Sequence, residues 1–411
     1  MPLANGRKAR WYAVVLSLLL TSVISPQLAW SQYEVEPEKS VWLRGLLDLR
    51  LVRGGKAPSW KERGPGKMRY GGRATAQGFE HVTHLAPAQV GVEVGAFLPW
   101  GLRAQAQVHW ETDLDKDDRP LLIEAFLRKE WGAEANGWGM QAGVMNAPFS
   151  LEHTGPMWTP RYTLTPSALN TWLWEEVRVV GLEGEWWRVT EHGLRLNLLM
   201  GTGFGPDLLG RLLSVRGWVL SDALSGVNSD LPLPARGVRT SVFDERDHRP
   251  AVYAYFTLSD ERERGVLRFG YFDNLGDQQT TGVWETRFGT VGAIFHPLAQ
   301  MDLLVQYLEG TARVRTPAND TALRAFYALL SYHRQGHRVS VRYDVFRLHE
   351  LDDTPPRTRE RGDGVTLAYL FEFGLHHRIG FEYMWLHSRR PARFPSDPPD
   401  DGWQLSYRFR Y

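Results

Sequence analysis

The end of the chain, residues 402–411, alternates strictly between two kinds of side chain. Apolar or aromatic residues occupy every second position, and polar or cationic residues occupy the positions between them. The first set is Trp403, Leu405, Tyr407, Phe409 and Tyr411, and the second is Gln404, Ser406, Arg408 and Arg410. In a β-strand, a period of two places these sets on opposite faces. The pattern therefore predicts that the chain ends in a two-faced strand.

Length and composition restrict the architectures that can contain such a strand. A chain of 411 residues could form a few ordinary domains or one large barrel. It combines 17 tryptophans with a negative mean hydropathy, which favours a barrel that shows only half of its side chains to lipid. Lys and Arg number 48 against 47 Asp and Glu, so charge gives no reason to expect a nucleic-acid partner. The absence of cysteine excludes disulfides, thiolate metal sites and cysteine nucleophiles.

The N-terminus has the pattern of a secretory signal. Arg7, Lys8 and Arg10 precede an apolar stretch over residues 11–24, and Ala29 and Ser31 give a small-x-small cleavage site. A membrane anchor is the alternative, but the apolar stretch is shorter than the roughly 20 residues of a spanning helix. We therefore expect a cleaved signal peptide over residues 1–31, a short periplasmic segment over 32–40 and a barrel over 41–411.

Alternating segments recur throughout the rest of the chain and predict about sixteen strands, an even number as expected for a single-chain bacterial barrel. Most approach the roughly 9–11 residues of a tilted spanning strand. The predicted strands are 41–52, 90–98, 102–111, 121–131, 138–145, 176–188, 194–203, 251–258, 266–272, 283–295, 301–308, 322–333, 338–347, 365–373, 378–387 and 403–411.

The connections between these strands alternate in length. The predicted tight turns are 99–101, 132–137, 190–193, 259–265, 296–300, 334–336 and 374–377. The predicted longer loops are 54–87, 112–120, 146–174, 204–250, 273–282, 309–321, 348–364 and 388–401. This alternation is typical of a transmembrane antiparallel β-barrel with short periplasmic turns and long outer loops.

Two stretches resemble a known family. The segment 146–154 (NAPFSLEHT) and the segment 162–170 (YTLTPSALN) resemble the third outer loop of porins related to the phosphate-selective porin family, and the closing strand resembles that of bacterial outer-membrane barrels. The resemblance implies a sixteen-stranded, trimeric channel whose third outer loop folds inward. Lysine is absent after Lys129, so a basic wall would have to consist of arginine, and the family's phosphate selectivity does not carry over directly.

If the apolar set faces lipid, strand parity turns a group of cationic residues toward the lumen. The predicted pore-lining or anion-binding residues are Arg44, Arg50, Arg103, His109, Arg195, Arg268, Arg287, Arg324, Arg342 and Arg408. A guanidinium remains charged and presents a planar fork of donors to carboxylate or phosphate. These arginines would attract anions, or pair with acidic residues on adjacent strands and stiffen the wall. A register error of one residue would exchange the two faces.

The loop 146–174 is the candidate constriction. It contains several prolines, which stiffen it, and apolar side chains that favour burial. Glu152, His153, Arg161 and Tyr162 are the residues expected at the constriction. The alternative is a loop exposed to the medium. No motif in the sequence specifies a metal, a cofactor or a serine-hydrolase elbow.

The sequence thus predicts an all-β porin in the bacterial outer membrane, forming a water-filled channel for small polar, anionic solutes such as phosphate-like ions or carboxylates. It is not expected to be an enzyme. The expected partners are outer-membrane lipid and lipopolysaccharide, the barrel-assembly machinery through the strand ending at Tyr411, and two further copies in a homotrimer. The alternatives are a substrate-specific uptake channel for sugars, a barrel enzyme that hydrolyses lipid or peptide, and a structural or adhesive barrel with a plugged lumen.

Overall fold

The computed structural model describes residues 40–111, 120–260, 264–316, 318–351, 359–390 and 400–411. The predicted signal peptide and nearly all of the segment 32–40 lie outside the described residues. No helix in the described part of the chain has the length and apolar character needed to cross a membrane.

Sixteen strands form one closed antiparallel barrel, which confirms the predicted fold class. The barrel strands are β1 (Val41–Arg53), β2 (Thr83–Leu98), β3 (Leu102–Trp110), β4 (Leu121–Ala133), β5 (Asn136–Asn146), β6 (Arg178–Val189), β7 (Leu194–Phe204), β8 (Ala251–Asp260), β9 (Gly265–Asp273), β10 (Trp284–Leu298), β11 (Met301–Val314), β12 (Asn319–Arg334), β13 (His337–Glu350), β14 (Glu360–Phe373), β15 (His377–Arg389) and β16 (Asp400–Arg410). Each strand pairs with its sequence neighbours, and β16 closes the barrel on β1.

The closing strand behaves as its alternation predicts. Leu405 is paired opposite Leu51 of β1 and is 43% exposed on the outer face, whereas Arg408 is buried in the interior. The Tyr411 backbone N–H donates to the Gly45 carbonyl at 2.9 Å, and the Gly45 N–H donates to the Tyr411 carbonyl at 3.0 Å. The terminal residue is therefore part of the seam that closes the barrel.

Short helices and two small hairpins occur only outside the barrel strands in the described residues. The helices are α1 (Ala168–Glu176) and α2 (Arg211–Arg216), with single 3-10 turns at Trp60–Glu62, Pro99–Gly101 and Pro156–Trp158. The hairpins pair Arg73–Thr75 with Gly78–Glu80 and Asp230–Pro232 with Arg239–Ser241. At the start of α1, the Ser167 hydroxyl accepts the Asn170 N–H at 3.2 Å, a standard N-cap.

Several strand boundaries differ from the sequence prediction, and three of the differences are informative. Residue Glu176 was expected to begin a strand, but it ends α1, because the Ser167 cap starts a helix that continues to it. β2 begins at Thr83 rather than at residue 90, so the first outer loop is shorter than predicted. β11 continues to Val314 and β12 begins at Asn319, so only residues 315–318 lie between these two strands. The predicted long loop over 309–321 is therefore wrong, because most of its residues continue the β-hairpin.

The outer face of the barrel carries an apolar belt. Its exposed members include Leu43, Val94, Leu182, Phe269, Val341 and Leu405. Aromatic side chains lie near the rim formed by the tight turns, including Trp131, Trp138, Trp186, Tyr369 and Phe373. An apolar belt bordered by aromatic residues is the surface that a transmembrane barrel presents to lipid.

The interior contains large apolar clusters as well as buried polar and charged side chains. The largest buried cluster joins wall residues such as Phe272, Phe288 and Phe346 to loop residues such as Phe149 and Trp172. Because wall and loops contribute to the same cluster, the lumen is packed with protein where these loops enter it.

Candidate functional site: the barrel lumen

The third outer loop, residues 147–177, folds into the barrel, as predicted. Phe149 and Trp172 are 0% and 1% exposed, and α1 is buried along its whole length. Phe149 contacts Phe288 edge-on with ring centroids 5.3 Å apart, and Trp172 contacts the same ring at 5.3 Å. The apolar residues of this loop therefore find their burial against the inner wall rather than in the medium.

Polar groups of the wall hold the backbone of the third loop. Arg342 of β13 donates to the Thr165 carbonyl at 2.6 Å and to the Pro166 carbonyl at 3.0 Å. Glu382 of β15 accepts the Leu164 N–H at 2.7 Å. These contacts satisfy buried backbone groups, which is a requirement for placing an irregular segment inside a barrel.

Glycines on the inner wall make room for side chains of the loop. A Cβ at Gly270 would lie 2.7 Å from Phe149, one at Gly292 would lie 2.6 Å from Leu151, and one at Gly380 would lie 2.9 Å from Leu164. These distances are shorter than van der Waals contact. We call these three positions the glycine sockets, because each allows a loop side chain to approach the wall backbone.

The fourth outer loop, residues 205–250, also enters the lumen. Asp222 of this loop lies 2.7 Å from Arg50 of β1 and 3.2 Å from Arg69 of the first outer loop. Burial would raise the pKa of Asp222, but the two arginines hold that pKa below its ordinary value. Arg216 of α2 pairs with Glu175 of α1 at 2.6 Å, so the third and fourth loops are joined to each other.

The first outer loop, residues 54–82, completes this filling. Its Lys67 pairs with Glu360 of β14 at 2.6 Å, and Glu360 also accepts the Trp218 N–H of the fourth loop at 3.0 Å. With these three loops in place, inward side chains near the long-loop rim are buried. Examples are Arg50, Trp284, Phe346 and Leu348. The outer half of the lumen is therefore occupied by loops in the described structure.

The half of the lumen near the tight turns is more open and cationic. We call it the inner vestibule and define it by five inward-facing arginines that are partly or fully exposed: Arg44, Arg103, Arg128, Arg195 and Arg268. The partly or fully exposed acidic side chains on the same wall are Glu130 and Glu185, whereas Glu93, Glu124 and Glu183 of that wall are buried. Exposed arginines therefore outnumber exposed carboxylates on this wall.

Two of these arginines form ion pairs and two are directed by other contacts. Arg44 lies 2.9 Å from Glu93, and Arg128 pairs with Glu185. Arg103 contacts the Gln105 side chain and lies 5.5 Å from the centroid of Trp42. Arg268 donates to the Pro148 carbonyl at 3.0 Å, so it connects the vestibule to the start of the third loop.

Comparison with known proteins supports the architecture. No family model matches the chain, and no curated protein matches it. Among solved structures, the anion-selective porin from Comamonas acidovorans aligns at 12% identity and TM-score 0.53, over 90% of this chain and 99% of that one. The outer membrane channel DcaP of Acinetobacter baumannii aligns at 11% identity and TM-score 0.55, over 90% and 97%. The trimer form of OmpT, an outer membrane protein of Vibrio cholerae, aligns at 10% identity and TM-score 0.51, over 90% and 99%.

This chain has the fold of the bacterial outer-membrane porins. With its closed sheet and apolar outer belt, it is an outer-membrane barrel. The comparisons do not assign a family within this fold, so the resemblance to the phosphate-selective porins stays a prediction.

Eight of the ten residues predicted for the pore wall have inward-facing side chains in this porin fold. They are Arg44, Arg50, Arg103, His109, Arg195, Arg268, Arg342 and Arg408. Arg50, His109, Arg342 and Arg408 are buried among the loops or near them, whereas the other four belong to the inner vestibule. Their roles in solute binding remain predictions.

Arg287 and Arg324 do not face the lumen, and their prediction as pore-lining residues is wrong. Arg287 lies on the exposed face of β10, between the buried Thr286 and Phe288. Arg324 is exposed on the outer face of β12, where it lies 2.5 Å from Glu309. The parity argument failed in these strands because the loops make the inner face apolar as well, so an apolar set does not identify the lipid side.

The four predicted loop residues separate into two environments. Glu152 and His153 are buried, with the Ser150 hydroxyl 2.8 Å from His153 Nδ1. Tyr162 is buried beneath the Arg338 guanidinium, which lies 5.0 Å from its ring centroid. Arg161 is exposed. Of this group, only Arg161 presents a charge to solvent.

Sequence reasoning missed several charged residues of the lumen. Arg128 and Arg378 face inward on strands that were predicted, and their parity could have identified them. Asp222 and Arg216 belong to the fourth loop, and no sequence signal places that loop inside the barrel.

One cluster of acidic groups has the composition of a cation site. Asp207, Glu245 and Asp247 of the fourth loop place one carboxylate oxygen each within 4.8 Å of the others. Their oxygens also accept backbone N–H groups, such as those of Arg246 and His248. Burial, together with Asp247 and Glu245, raises the pKa of Asp207 to about 6.

Proposed function

We propose that this protein is an outer-membrane channel for the passive diffusion of small polar, anionic solutes, carboxylates or phosphate-like ions, and that it is not an enzyme. The third outer loop narrows the lumen, and the first and fourth loops restrict it further. Arginines of the inner vestibule attract the anionic solute to the part of the lumen that borders the third loop.

The observation that carries this proposal is the excess of exposed arginines over exposed carboxylates in the inner vestibule. Arg103 and Arg268 have no carboxylate as their main contact and are partly exposed. In a water-filled pore, such cations lower the barrier for anions by Coulomb attraction, which salt screens over about 8–10 Å. The structural likeness to a protein described as an anion-selective porin supports this assignment.

Uptake into proteoliposomes tests the proposal. Vesicles that contain the purified barrel would be exposed near neutral pH to inorganic phosphate, to a dicarboxylate and to a neutral monosaccharide. We expect the two anions to enter faster than the sugar, and protein-free vesicles to admit neither anion at that rate. Faster entry of the sugar would contradict the anionic assignment and favour a substrate-specific sugar channel.

A second candidate is a barrel whose lumen is permanently filled and does not conduct. The burial of Arg50 and Arg342, each 0% exposed, supports it, because wall cations in a wide aqueous pore would contact water. The same vesicles separate the two functions. A folded barrel that admits none of the three solutes would support the filled, structural barrel.

The barrel-hydrolase alternative has little support in the described residues. Ser150 Oγ lies 2.8 Å from His153 Nδ1, the type of contact that activates a serine nucleophile. Both side chains are buried, and the Ser150 oxygen also accepts the backbone N–H groups of Glu152 and His153. A substrate would have no access to this hydroxyl without displacement of the third loop.

The proposed channel also has an expected assembly state, membrane environment and route of insertion. We propose a homotrimer in contact with lipopolysaccharide and outer-membrane lipid, inserted by the barrel-assembly machinery through the strand that precedes Tyr411. A structural neighbour is described as a trimer form. Native mass spectrometry tests the trimer, and N-terminal sequencing of the mature protein tests cleavage after residue 29 or 31. A monomer, or an intact N-terminus, would contradict the respective proposal.

A further inference from the structure

Two arginines stand side by side on the inner wall. Arg378 of β15 and Arg408 of β16 are directly opposite each other in the antiparallel ladder. They are 6% and 2% exposed. Directly opposed residues have Cβ atoms about 4.5–5.5 Å apart, and like charges in this arrangement destabilise a sheet. The pair therefore needs negative charge nearby.

The carboxylates opposite these two arginines also contact other arginines. Asp48 lies opposite Arg408 on the other side and contacts it at 2.6 Å, but it also contacts Arg50 at 3.0 Å. Glu372 lies opposite Arg378, but it is 3.6 Å from Arg410. Among the described residues, Arg378, Arg408 and Arg410 thus share only Asp48 and Glu372 as adjacent carboxylates, which leaves at least one cation in excess.

Three N–H groups of the pair have no partner. In the described structure, Arg378 Nε and Nη2 and Arg408 Nη1 are buried and donate to no acceptor within hydrogen-bond range. Buried polar groups are almost always hydrogen-bonded, and an unpaired buried charge is strongly unfavourable. Nε and Nη2 form one edge of the guanidinium fork, the edge that binds two oxygens of one oxyanion.

We propose that Arg378 and Arg408 form a binding site for one small oxyanion, a carboxylate or a phosphate-like ion, at the inner end of the lumen. Two oxygens accept the Arg378 Nε and Nη2 protons, and Arg408 Nη1 donates to the same ion. The neighbouring Arg410 and Glu372 are about one quarter exposed, so the site borders solvent at the tight-turn rim. The site deepens the proposed function and rests on it, because an anion-conducting channel would deliver this class of ligand.

Ligand-dependent stability of the full-length folded barrel tests the site. Thermal unfolding would be followed by tryptophan fluorescence while inorganic phosphate, or in a second series acetate, replaces chloride at constant ionic strength. We expect a saturable rise in Tm for the wild type. Because Arg378→Gln removes two charge-assisted hydrogen bonds, it should need about tenfold more anion or higher for the same rise. The matched control is Arg287→Gln, which removes an arginine on the outer face of β10 and should behave as the wild type.

Identical anion dependence of the wild type and Arg378→Gln would overturn the site. If Arg378→Gln fails to assemble, Arg378→Lys keeps the charge but lacks the fork, and it should show weaker anion binding by calorimetry with inorganic phosphate. Unchanged binding in that variant would equally refute the geometry. The channel is tested separately: anion binding without solute entry would contradict the proposed function and support the site, whereas solute entry without anion binding would do the reverse.

Discussion

Arg342 Nη1 on the barrel wall lies 3.0 Å from Glu152 Oε1 in the third outer loop, and the two side chains are 0% and 1% exposed. The other oxygen of Glu152 accepts the Ser167 N–H at 2.9 Å and the Asn170 side-chain amide at 2.6 Å. One acidic residue therefore connects a wall cation to the start of α1. This relationship fixes the position of the loop that narrows the lumen.

Replacing Arg342 with methionine should destabilise the barrel. The change leaves Glu152 buried without its cation, and loss of one partner of a buried pair costs about 3–5 kcal/mol. Unfolding in urea, followed by tryptophan fluorescence in detergent, measures the free energy. The control is Arg324→Met, which breaks an exposed pair with Glu309 and should cost under about 1 kcal/mol. Equal effects of the two changes would contradict the anchoring role of Arg342.

The glycine sockets predict a steric cost. In Gly270→Ala the new methyl group would lie 2.7 Å from Phe149, so the loop must shift. We expect this shift to lower the free energy of unfolding by about 1–3 kcal/mol. The same urea experiment, together with limited proteolysis of the third loop, measures the effect. Gly184→Ala is the control, since a Cβ at Gly184 meets nothing within 4 Å. The socket is refuted if Gly270→Ala is as stable and as protease-resistant as Gly184→Ala.

Charge reversal in the inner vestibule should change ion preference. Arg103→Glu turns an inward cation into an anion, so the reversal potential under a salt gradient should move toward cation preference. Arg287→Glu is the matched control, because Arg287 lies on the outer face of β10. We expect no change in its reversal potential. A shift of the same size in both variants would mean that Arg103 does not act through the pore.

The apolar outer belt predicts that a charged side chain on the lipid face impairs assembly of the barrel. Leu405→Arg places a cation on the lipid face of the closing strand. Such a change destabilises the barrel by about 2–4 kcal/mol if the position lies near the bilayer midplane. Folding into lipid vesicles, followed by the heat-modifiable mobility of the barrel, measures assembly. Leu351→Arg is the control, because Leu351 is exposed just beyond β13. Normal assembly of Leu405→Arg would contradict the assigned face.

Asp207 predicts a pH dependence of stability. Its pKa is raised from an ordinary 3.8 to about 6 in the folded loop, so the folded state holds this proton more tightly than the unfolded state. Its contribution to stability is therefore present at low pH and is lost as pH rises through about 6. Asp207→Asn should remove this decline and stabilise the protein above pH 6 in thermal unfolding. The control is Asp273→Asn at the end of β9, which should keep the loss of stability above pH 6. If Asp207→Asn keeps this loss of stability as well, the assignment of Asp207 is wrong.

The fold could be predicted from the sequence where the two faces of a strand differ in polarity. In β16, Leu405 and Phe409 alternate with Gln404 and Arg408, and the structure places each on the expected face. In β12, Leu323, Tyr327 and Leu329 face inward while Phe326 and Leu330 face outward. Because both faces of β12 are apolar, the pattern alone could not assign Arg324.

The site could be predicted only in part, for a related reason. Inward folding of the third loop follows from its apolar content, as Phe149 and Leu151 illustrate. The fourth loop is held by contacts such as Arg50 with Asp222, between residues far apart in the chain. Such pairs depend on where the barrel brings the strands together, so no local pattern indicates them.

Conductance of the purified barrel in a planar bilayer, with the reversal potential measured under a salt gradient, tests the central claim most directly. We predict discrete ohmic channels with anion preference, because exposed arginines outnumber exposed carboxylates in the inner vestibule. Folded, heat-modifiable protein that gives no conductance, or conductance with cation preference, would contradict an anion channel.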